Sequence, residues 1–237
     1  MANSPPKPTR TDFLYARLRA DILGGRLAPG TRLKFPELSA RFETSVGVVR
    51  EALIRLAEQG LVRAEAHQGF AVTPLSFDDL LELTQARVDI ECLVFGRAIS
   101  EGDIVWESRV VAAHHLLERT PLALPSDPQR LSDAWVSAHA AFHQAILEGS
   151  SNRRLRLIAA GLRDEAELYR SWSLPHGNEP DRDLSSEHRE LLDAVLARNA
   201  ESGVHLLQRH IEHTTRVLVE SNARSQAKPK RARARRI

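Results

Sequence analysis

The feature that most constrains this chain is an amphipathic segment over residues 49–62 that contains a helix-ending glycine. Its apolar residues recur at the spacing of one helical face, namely Val49, Leu53, Leu56 and Ala57. Gly60 ends this helix, and an extended segment follows it. A second short amphipathic stretch precedes it over residues 33–42, with Pro36 in the first turn, where proline is favoured. Two short helices, a tight turn over residues 43–45 and a following strand pair predict a winged helix-turn-helix, which places one helix in the DNA major groove.

Residues 10–75 resemble the DNA-binding domain of GntR-type bacterial transcription regulators. The resemblance rests on the helix pair and on four further segments, residues 27–33, 49–53, 58–62 and 67–72. It implies three helices and a small β-wing that binds DNA. Apolar spacing predicts the first helix over about residues 11–24, and the wing is expected over about 62–73, with its tip at 66–69.

The charge is unevenly distributed, although the whole chain carries only +2. Residues 1–75 carry a net +4, residues 76–222 carry −9, and residues 223–237 carry +7. This segregation favours a chain in which only one part, such as the basic N-terminal part, contacts a polyanion. A net charge of +4 over 75 residues is, however, also ordinary for a domain with no such partner. The single cysteine, Cys92, excludes a disulfide framework and suits a reducing cytoplasm. No stretch approaches the roughly 18 apolar residues of a membrane span, and the N-terminus has no signal-peptide core, so neither is expected.

Composition and periodicity divide the chain into four parts. Residues 1–9 are proline-rich and expected to be disordered, residues 10–74 form the winged helix-turn-helix, residues 75–222 are helical, and residues 223–237 form a disordered basic tail. After Pro74, helices are expected over about residues 76–100, 103–119, 127–149, 151–171, 182–199 and 201–222. The predicted fold class is mostly α: a winged helix-turn-helix followed by an all-α six-helix bundle.

The helical part resembles the FCD effector domain, which accompanies the FadR-type subgroup of GntR regulators. The segments that carry this resemblance are residues 86–91, 142–146, 150–152, 187–194 and 208–211. Together the two resemblances imply a transcription regulator that responds to a ligand. One winged domain buries too little surface for a tight site, so a homodimer on a pseudo-palindromic double-stranded operator is expected.

The start of the second short helix is the candidate for reading DNA. In GntR regulators the segment aligned with residues 43–50 usually reads Gly-Val-Ser-Arg-Thr-Pro-Val-Arg. Ser45 matches the family serine and is expected to cap the helix, with Thr44 as the alternative, so that free N–H groups face a phosphate. Arg50 matches the last arginine, its alternative role being an ion pair with Glu51 or Glu58.

The same segment departs from the family pattern at its centre. Val46 stands where the family has arginine, and Gly47 and Val48 replace Thr-Pro. A valine cannot donate hydrogen bonds to guanine as an arginine does, so Val46 can at most touch a thymine methyl group. The remaining candidate DNA contacts lie outside this helix: Arg32 and Arg41 for phosphates, Gly69 for close backbone approach at the wing, and His67 in the wing tip.

Four of the ten histidines are spaced so that they can converge: His139, His143, His188 and His210. His139 and His143 lie four apart, hence on one helix face, and the other two belong to two later helices. Imidazoles from three helices of a bundle form a ready transition-metal site, although each histidine alone would more often be an ordinary helix residue. The adjacent His114 and His115 are expected at the surface.

The FCD resemblance also implies a divalent metal, held by an aspartate four residues before a histidine and by two later histidines. His143, His188 and His210 match those histidines, whereas His139 replaces the aspartate. A nitrogen-rich shell favours zinc or nickel over manganese or magnesium, and four neutral imidazoles leave the metal charge uncompensated. A small organic acid is therefore the expected effector. The resemblance places Arg87 facing the ligand cavity, although an ion pair with Glu91 is an equal alternative.

Three functions compete. The leading interpretation is a cytoplasmic, nucleoid-associated transcription regulator that is not an enzyme. A metal-dependent hydrolase would use the histidines, but the sequence has no His-Glu-x-x-His run and no clearly placed general base. A non-specific architectural DNA binder would explain the basic tail and the valine-rich recognition helix.

Overall fold

The computed structural model describes residues 8–65, 69–124, 127–177 and 183–227. The N-terminal part contains α1 (Arg10–Leu23), β1 (Arg32–Leu33), α2 (Phe35–Arg41), α3 (Val46–Glu58), β2 (Val62–Glu65) and β3 (Gly69–Val72). Thr9 and Asp12 form a capping box that fixes the start of α1. The three strands form an antiparallel sheet in the order β1-β3-β2. This arrangement is a winged helix-turn-helix, and β1 adds to the predicted strand pair a third strand that the sequence pattern did not indicate.

The helical part contains α4 (Phe77–Glu101), α5 (Ile104–Arg119), a hairpin of β4 (Ala123–Leu124) and β5 (Asp127–Leu131), α6 (Asp133–Leu147), α7 (Arg153–Gly177), α8 (Leu184–Leu196) and α9 (Ala200–Ala227). The six predicted helices are thus present in the described part of the chain, and the mostly α fold class is confirmed. Helix α4 packs along α9 and α7, and α5 packs on α6. Gly203 allows α9 to approach α4 closely, because a Cβ there would lie 2.5 Å from Ile99 Cδ1.

The structure differs from the sequence expectation before α6. A β-hairpin occupies part of the predicted helix, and α6 begins at Asp133 rather than near residue 127. Pro128 disfavours a helix that continues through it, since it has no backbone N–H. The helix begins instead where Ser132 accepts a hydrogen bond from the backbone N–H of Trp135. Helices α7 and α9 also extend beyond their expected ends near residues 171 and 222.

Charged contacts join the winged domain to two helices of the bundle. Arg26 lies 3.1 Å from Asp133 at the start of α6, and Arg19 lies 2.9 Å from Asp164 on α7. The hydroxyl of Tyr169, also on α7, donates to Asp79 at 2.5 Å near the start of α4. Helices α6 and α7 therefore contact the winged domain or the segment that follows it.

Within the described residues, no helix is long and apolar enough to cross a membrane. The longest helices carry charged residues throughout their length.

Candidate nucleic-acid interface and metal centre

The outer face of α3 is available to a partner. Val46, Gly47, Arg50, Glu51, Ile54 and Glu58 are exposed along it, while the opposite face, with Val49, Ala52, Leu53 and Leu56, is buried in the domain core. Ser45 caps the helix by accepting a hydrogen bond from the backbone N–H of Val48, as predicted. The apolar Val46 and Ile54 on this face are 45% and 44% exposed.

Arg50 projects from the middle of this outer face. Its guanidinium carbon lies 5.1 Å from the centre of the Phe35 ring, so α2 supports the side chain through a cation–π contact. Among the described residues Arg50 makes no ion pair, and the alternative pairing with Glu51 or Glu58 is not observed.

The other predicted DNA-contacting residues differ in their exposure and in whether they already have a hydrogen-bond partner within the protein. Arg32 is exposed on β1, opposite Ala71 of β3. Arg41 is half-exposed but donates to Asp21 at 2.8 Å, so part of its hydrogen-bonding capacity is already used. Gly69 has φ +88° and open space where a Cβ would lie, so the backbone there can approach a ligand closely. His67 lies outside the described residues.

The four candidate metal ligands come together in the centre of the bundle. His139 and His143 lie on α6, His188 on α8 and His210 on α9, and each is only 3–8% exposed. One ring nitrogen from each histidine lies within 4.8 Å of those of the other three. Tetrahedral zinc ligands at about 2.0–2.1 Å from the metal would be ~3.4 Å apart, so the cluster needs only a modest contraction to hold an ion.

Two contacts indicate how the imidazoles are oriented. Nε2 of His143 and Nε2 of His188 face each other at 3.3 Å. Nδ1 of His210 lies 2.6 Å from Oε2 of Glu187, a contact in which His210 must supply the hydrogen to a carboxylate. A carboxylate behind a histidine is the usual support of a metal-binding imidazole, because it fixes the tautomer whose other nitrogen is free to bind.

The cluster also contains a buried nitrogen without a hydrogen bond. Nδ1 of His139 has no hydrogen-bond partner, and Oε1 of Glu167 lies 3.8 Å away, too far for a hydrogen bond. Burial lowers the pKa of His139 and of His143 well below the usual value, and the neighbouring Arg170 and His210 add to the respective effects. Both imidazoles are therefore neutral at pH 7, which is the form that binds metals. The donor set suits a transition-metal ion such as zinc or nickel.

Charged residues surround the cluster, and sequence reasoning identified only Arg87 among them. Arg87 donates to Glu91 at 2.6 Å and also lines the histidine cavity, so the two alternatives for this residue occur together. Three arginines and three glutamates balance formally around the site: Arg87, Arg163 and Arg170 against Glu91, Glu167 and Glu187. Arg163, Glu167 and Arg170 share one face of α7, but their spacing gave no signal of burial, since a charged face of a helix is usually solvated.

Glu167 is the buried carboxylate nearest to His139. Burial alone would raise its pKa, but Arg170 and Arg163 outweigh burial and hold the pKa of Glu167 below its usual value. Glu167 is thus ionised at pH 7. Because the surrounding arginines and glutamates already balance, a divalent ion would leave the site with uncompensated positive charge.

The free space beside the histidines is small. The cavity bounded by His139, His143, His210 and the α7 side chains has a volume of ≈ 20 Å³, about that of one water molecule. A second cavity of ≈ 290 Å³ borders His188 and Trp135 from the α5 side. It is also lined by His114, which packs against Phe142 and is buried, so the expectation that His114 lies at the surface was wrong. Burial, reinforced by Arg189, lowers the pKa of His114.

Known proteins share both halves of this architecture. Residues 10–72 match the gntR family of bacterial regulatory proteins, and residues 82–213 match the FCD domain. The HTH-type transcriptional regulator BphR of Paraburkholderia xenovorans (strain LB400) is 39% identical over 204 residues, which cover 86% of this chain and 83% of BphR. The HTH-type transcriptional repressor GlaR of Escherichia coli (strain K12) is 32% identical over 200 residues, which cover 83% of this chain and 90% of GlaR.

A crystal structure of a GntR transcriptional regulator from Rhodococcus sp. RHA1 has the same fold. It superimposes with a TM-score of 0.69 at 26% identity and covers 89% of this chain and 98% of its own. These relatives are transcription regulators and not enzymes, so they give no support to the hydrolase alternative. The chain belongs to the GntR family of bacterial transcription regulators and carries an FCD domain.

Proposed function

We propose that this regulator binds a pseudo-palindromic operator as a homodimer, and that a small carboxylate bound beside a divalent metal in the FCD domain controls its operator affinity. The observation that carries the proposal is the buried cluster of four histidines, two of them on α6, whose first residue, Asp133, pairs with Arg26 of the winged domain. The protein would act in the cytoplasm, where its operator lies.

On the DNA side, α3 would enter the major groove with its outer face. Arg50 would donate to a base edge or a phosphate, and Val46 would contact a thymine methyl group. The capped N-terminus of α3 at Ser45, beside Gly47, would face a phosphate. Arg32, Arg41 and the backbone at Gly69 would contact neighbouring phosphates, and His67 would contribute from the wing tip.

On the effector side, His139, His143, His188 and His210 would hold zinc or nickel. Such an ion would supply two positive charges that the balanced ring of arginines and glutamates does not neutralise. A single carboxylate would halve this excess charge, a dicarboxylate would cancel it, and Arg87 would supply a further positive group beside the bound anion. The charge of the site therefore favours an anionic effector over a neutral one.

The size of the cavity suggests how effector binding could be transmitted. A space of ≈ 20 Å³ holds about one water molecule, so an organic acid would displace the side chains of α7 that close it. Helix α7 also carries Asp164 and Tyr169, which contact α1 and the start of α4. A shift of α7 would thus alter the spacing of the two winged domains, through α1 and through the linker at residues 72–75.

The metal is tested first. Protein purified without an affinity tag should contain close to one zinc or nickel ion per chain, and the variant His143→Ala, His188→Ala should contain far less. A metal content near zero in the wild type, unchanged after incubation with zinc and dialysis, would refute the metal site.

The effector is tested next by a thermal-shift screen of organic acids on the same two proteins. An acid that binds at the metal should stabilise the wild type and leave the histidine variant unaffected. It should change operator affinity by a factor that corresponds to about 1–3 kcal/mol of coupling. An acid that stabilises both proteins equally is not bound at the metal, and one that leaves operator affinity unchanged is not a regulator.

Operator specificity is tested separately, by competition of the adjacent promoter region with random DNA of equal length. Specific binding should resist a large excess of random DNA, with two chains bound per site. Equal competition by random DNA would instead indicate an architectural binder.

A further inference from the structure

A third cavity, which we call the arginine pocket, lies between α5, α6 and α7 and has a volume of ≈ 460 Å³. This volume falls within the roughly 300–1,000 Å³ typical of small-molecule sites. Four arginines line it, together with a single carboxylate, Glu148: they are Arg109, Arg153, Arg156 and Arg163. The charged side chains of the pocket therefore sum to a strong positive charge.

The arginines of this pocket are poorly neutralised. Within the described part of the chain, Arg109, Arg153 and Arg156 make no ion pair, and Arg156 donates to the backbone carbonyl of Ser150. Glu148 accepts a hydrogen bond from Gln144 at 3.3 Å rather than pairing with an arginine. The first turn of α7, which begins here, contains no acidic residue to offset its own positive end.

Arg163 forms the part of the wall that the arginine pocket shares with the histidine cavity. Its side chain is buried, donates to the carbonyl of Ala140 at 3.2 Å, and lies 3.9 Å from Glu91. Burial lowers the pKa of Arg163, against the opposing effect of Glu91 and Glu167. The guanidinium nonetheless remains charged at pH 7, because the pKa of arginine is too high for burial to neutralise it.

We propose that the arginine pocket binds a small organic phosphate, whose phosphate group is held by Arg109, Arg153 and Arg156. Guanidinium groups match phosphate oxygens with paired hydrogen bonds, and a dianion requires more than one of them. The pocket also has an apolar wall of Leu147, Leu157 and Ala160, which suits the carbon skeleton of a phosphate ester. This site is separate from the metal and from the carboxylate effector proposed above.

Two double variants test the site by removing equal charge from the same two helices. Arg109→Gln, Arg153→Gln removes two exposed arginines of the pocket. Arg119→Gln, Arg154→Gln removes two exposed arginines of α5 and α7 that do not line it. Binding of glycerol 3-phosphate and of inorganic phosphate is measured by calorimetry at constant ionic strength.

The wild type and the control variant should bind glycerol 3-phosphate saturably, and the pocket variant should bind it at least tenfold more weakly. Inorganic phosphate should bind more weakly than the ester, because it leaves the apolar wall uncovered. Absence of saturable binding to the wild type, or equal weakening in both variants, would overturn the proposal.

Three further measurements separate this site from other roles of the same surface. The variant His143→Ala, His188→Ala should retain phosphate binding, and its loss there would place the anion in the histidine cavity instead. In the absence of phosphate, the pocket variant should keep the operator affinity and the oligomeric state of the wild type. A change in either would assign these arginines to DNA or to a subunit interface and would overturn the proposal.

Discussion

Replacing Glu187 by glutamine should weaken zinc binding although it replaces none of the proposed metal ligands. Glu187 accepts a hydrogen bond from Nδ1 of His210 at 2.6 Å. The carboxylate holds the tautomer that leaves Nε2 of His210 free, and its negative charge makes the imidazole a better ligand. Glutamine keeps a similar shape but has no charge, and its amide can present either a donor or an acceptor to the imidazole.

The size of the effect follows from this single contact. Removal of an outer-shell partner typically costs 10–100-fold in metal affinity, which corresponds to about 1.4–2.7 kcal/mol. Glutamine can still accept one hydrogen bond, so we expect Glu187→Gln to lie near tenfold and Glu187→Ala nearer to the upper end of the range. Zinc affinity is measured by competition with a chromophoric chelator.

Glu190→Gln is the matched control. Glu190 lies on the same helix as Glu187 and pairs with Arg209, the residue before His210, at 2.5 Å on the exposed surface. The control therefore removes one carboxylate and one contact between α8 and α9 but leaves the histidines unchanged. It should bind zinc within twofold of the wild type. If Glu187→Gln also binds zinc within twofold of the wild type, the argument that Glu187 supports a metal ligand fails.

Three further outcomes are expected. Arg50→Ala should weaken operator binding by about 1–3 kcal/mol in a gel-shift or anisotropy titration, whereas Arg154→Ala, an exposed arginine of α7, should not; equal losses would remove Arg50 from the interface. Gly102→Ala should lower the free energy of unfolding, measured by denaturation, by about 1–3 kcal/mol, because a Cβ there would lie 2.1 Å from the Trp106 ring. The control Gly161→Ala, where the space is open, should cause no loss in the same experiment. Cys92, whose pKa burial raises to about 12, should resist alkylation at pH 8 until the protein unfolds, so rapid labelling of the native protein would contradict its burial.

Local sequence signals determined much of this protein. The apolar period of α3, its serine cap and Gly60 mark the bounds of this helix without reference to any other part of the chain. The order of the family segments then identified both domains, and the four histidines in family order predicted which side chains would meet. These features can be predicted from the sequence because they depend on residue spacing along one helix or on matched motifs.

Other features depend on contacts between residues distant in sequence, and the tertiary structure decided them. The sequence analysis did not single out Glu167 and Arg170, and only the packing of α7 in the bundle places Glu167 near His139 and pairs it with Arg170. The hairpin before α6 replaced the start of a predicted helix, since pairing with β4 outweighed a weak local preference in a proline-containing segment.

Arg87 and His114 also show that the sequence alone does not determine the surroundings of a single side chain. Sequence spacing left Arg87 with two alternatives, an ion pair or a place in the cavity, and the fold gives it both. The adjacent His114 and His115 cannot share one helix face, but only the position of α5 against α6 buries His114 beside Phe142. Period and capping fix which residues form a helix, whereas the charges and cavities that its faces meet are set by the other helices of the bundle.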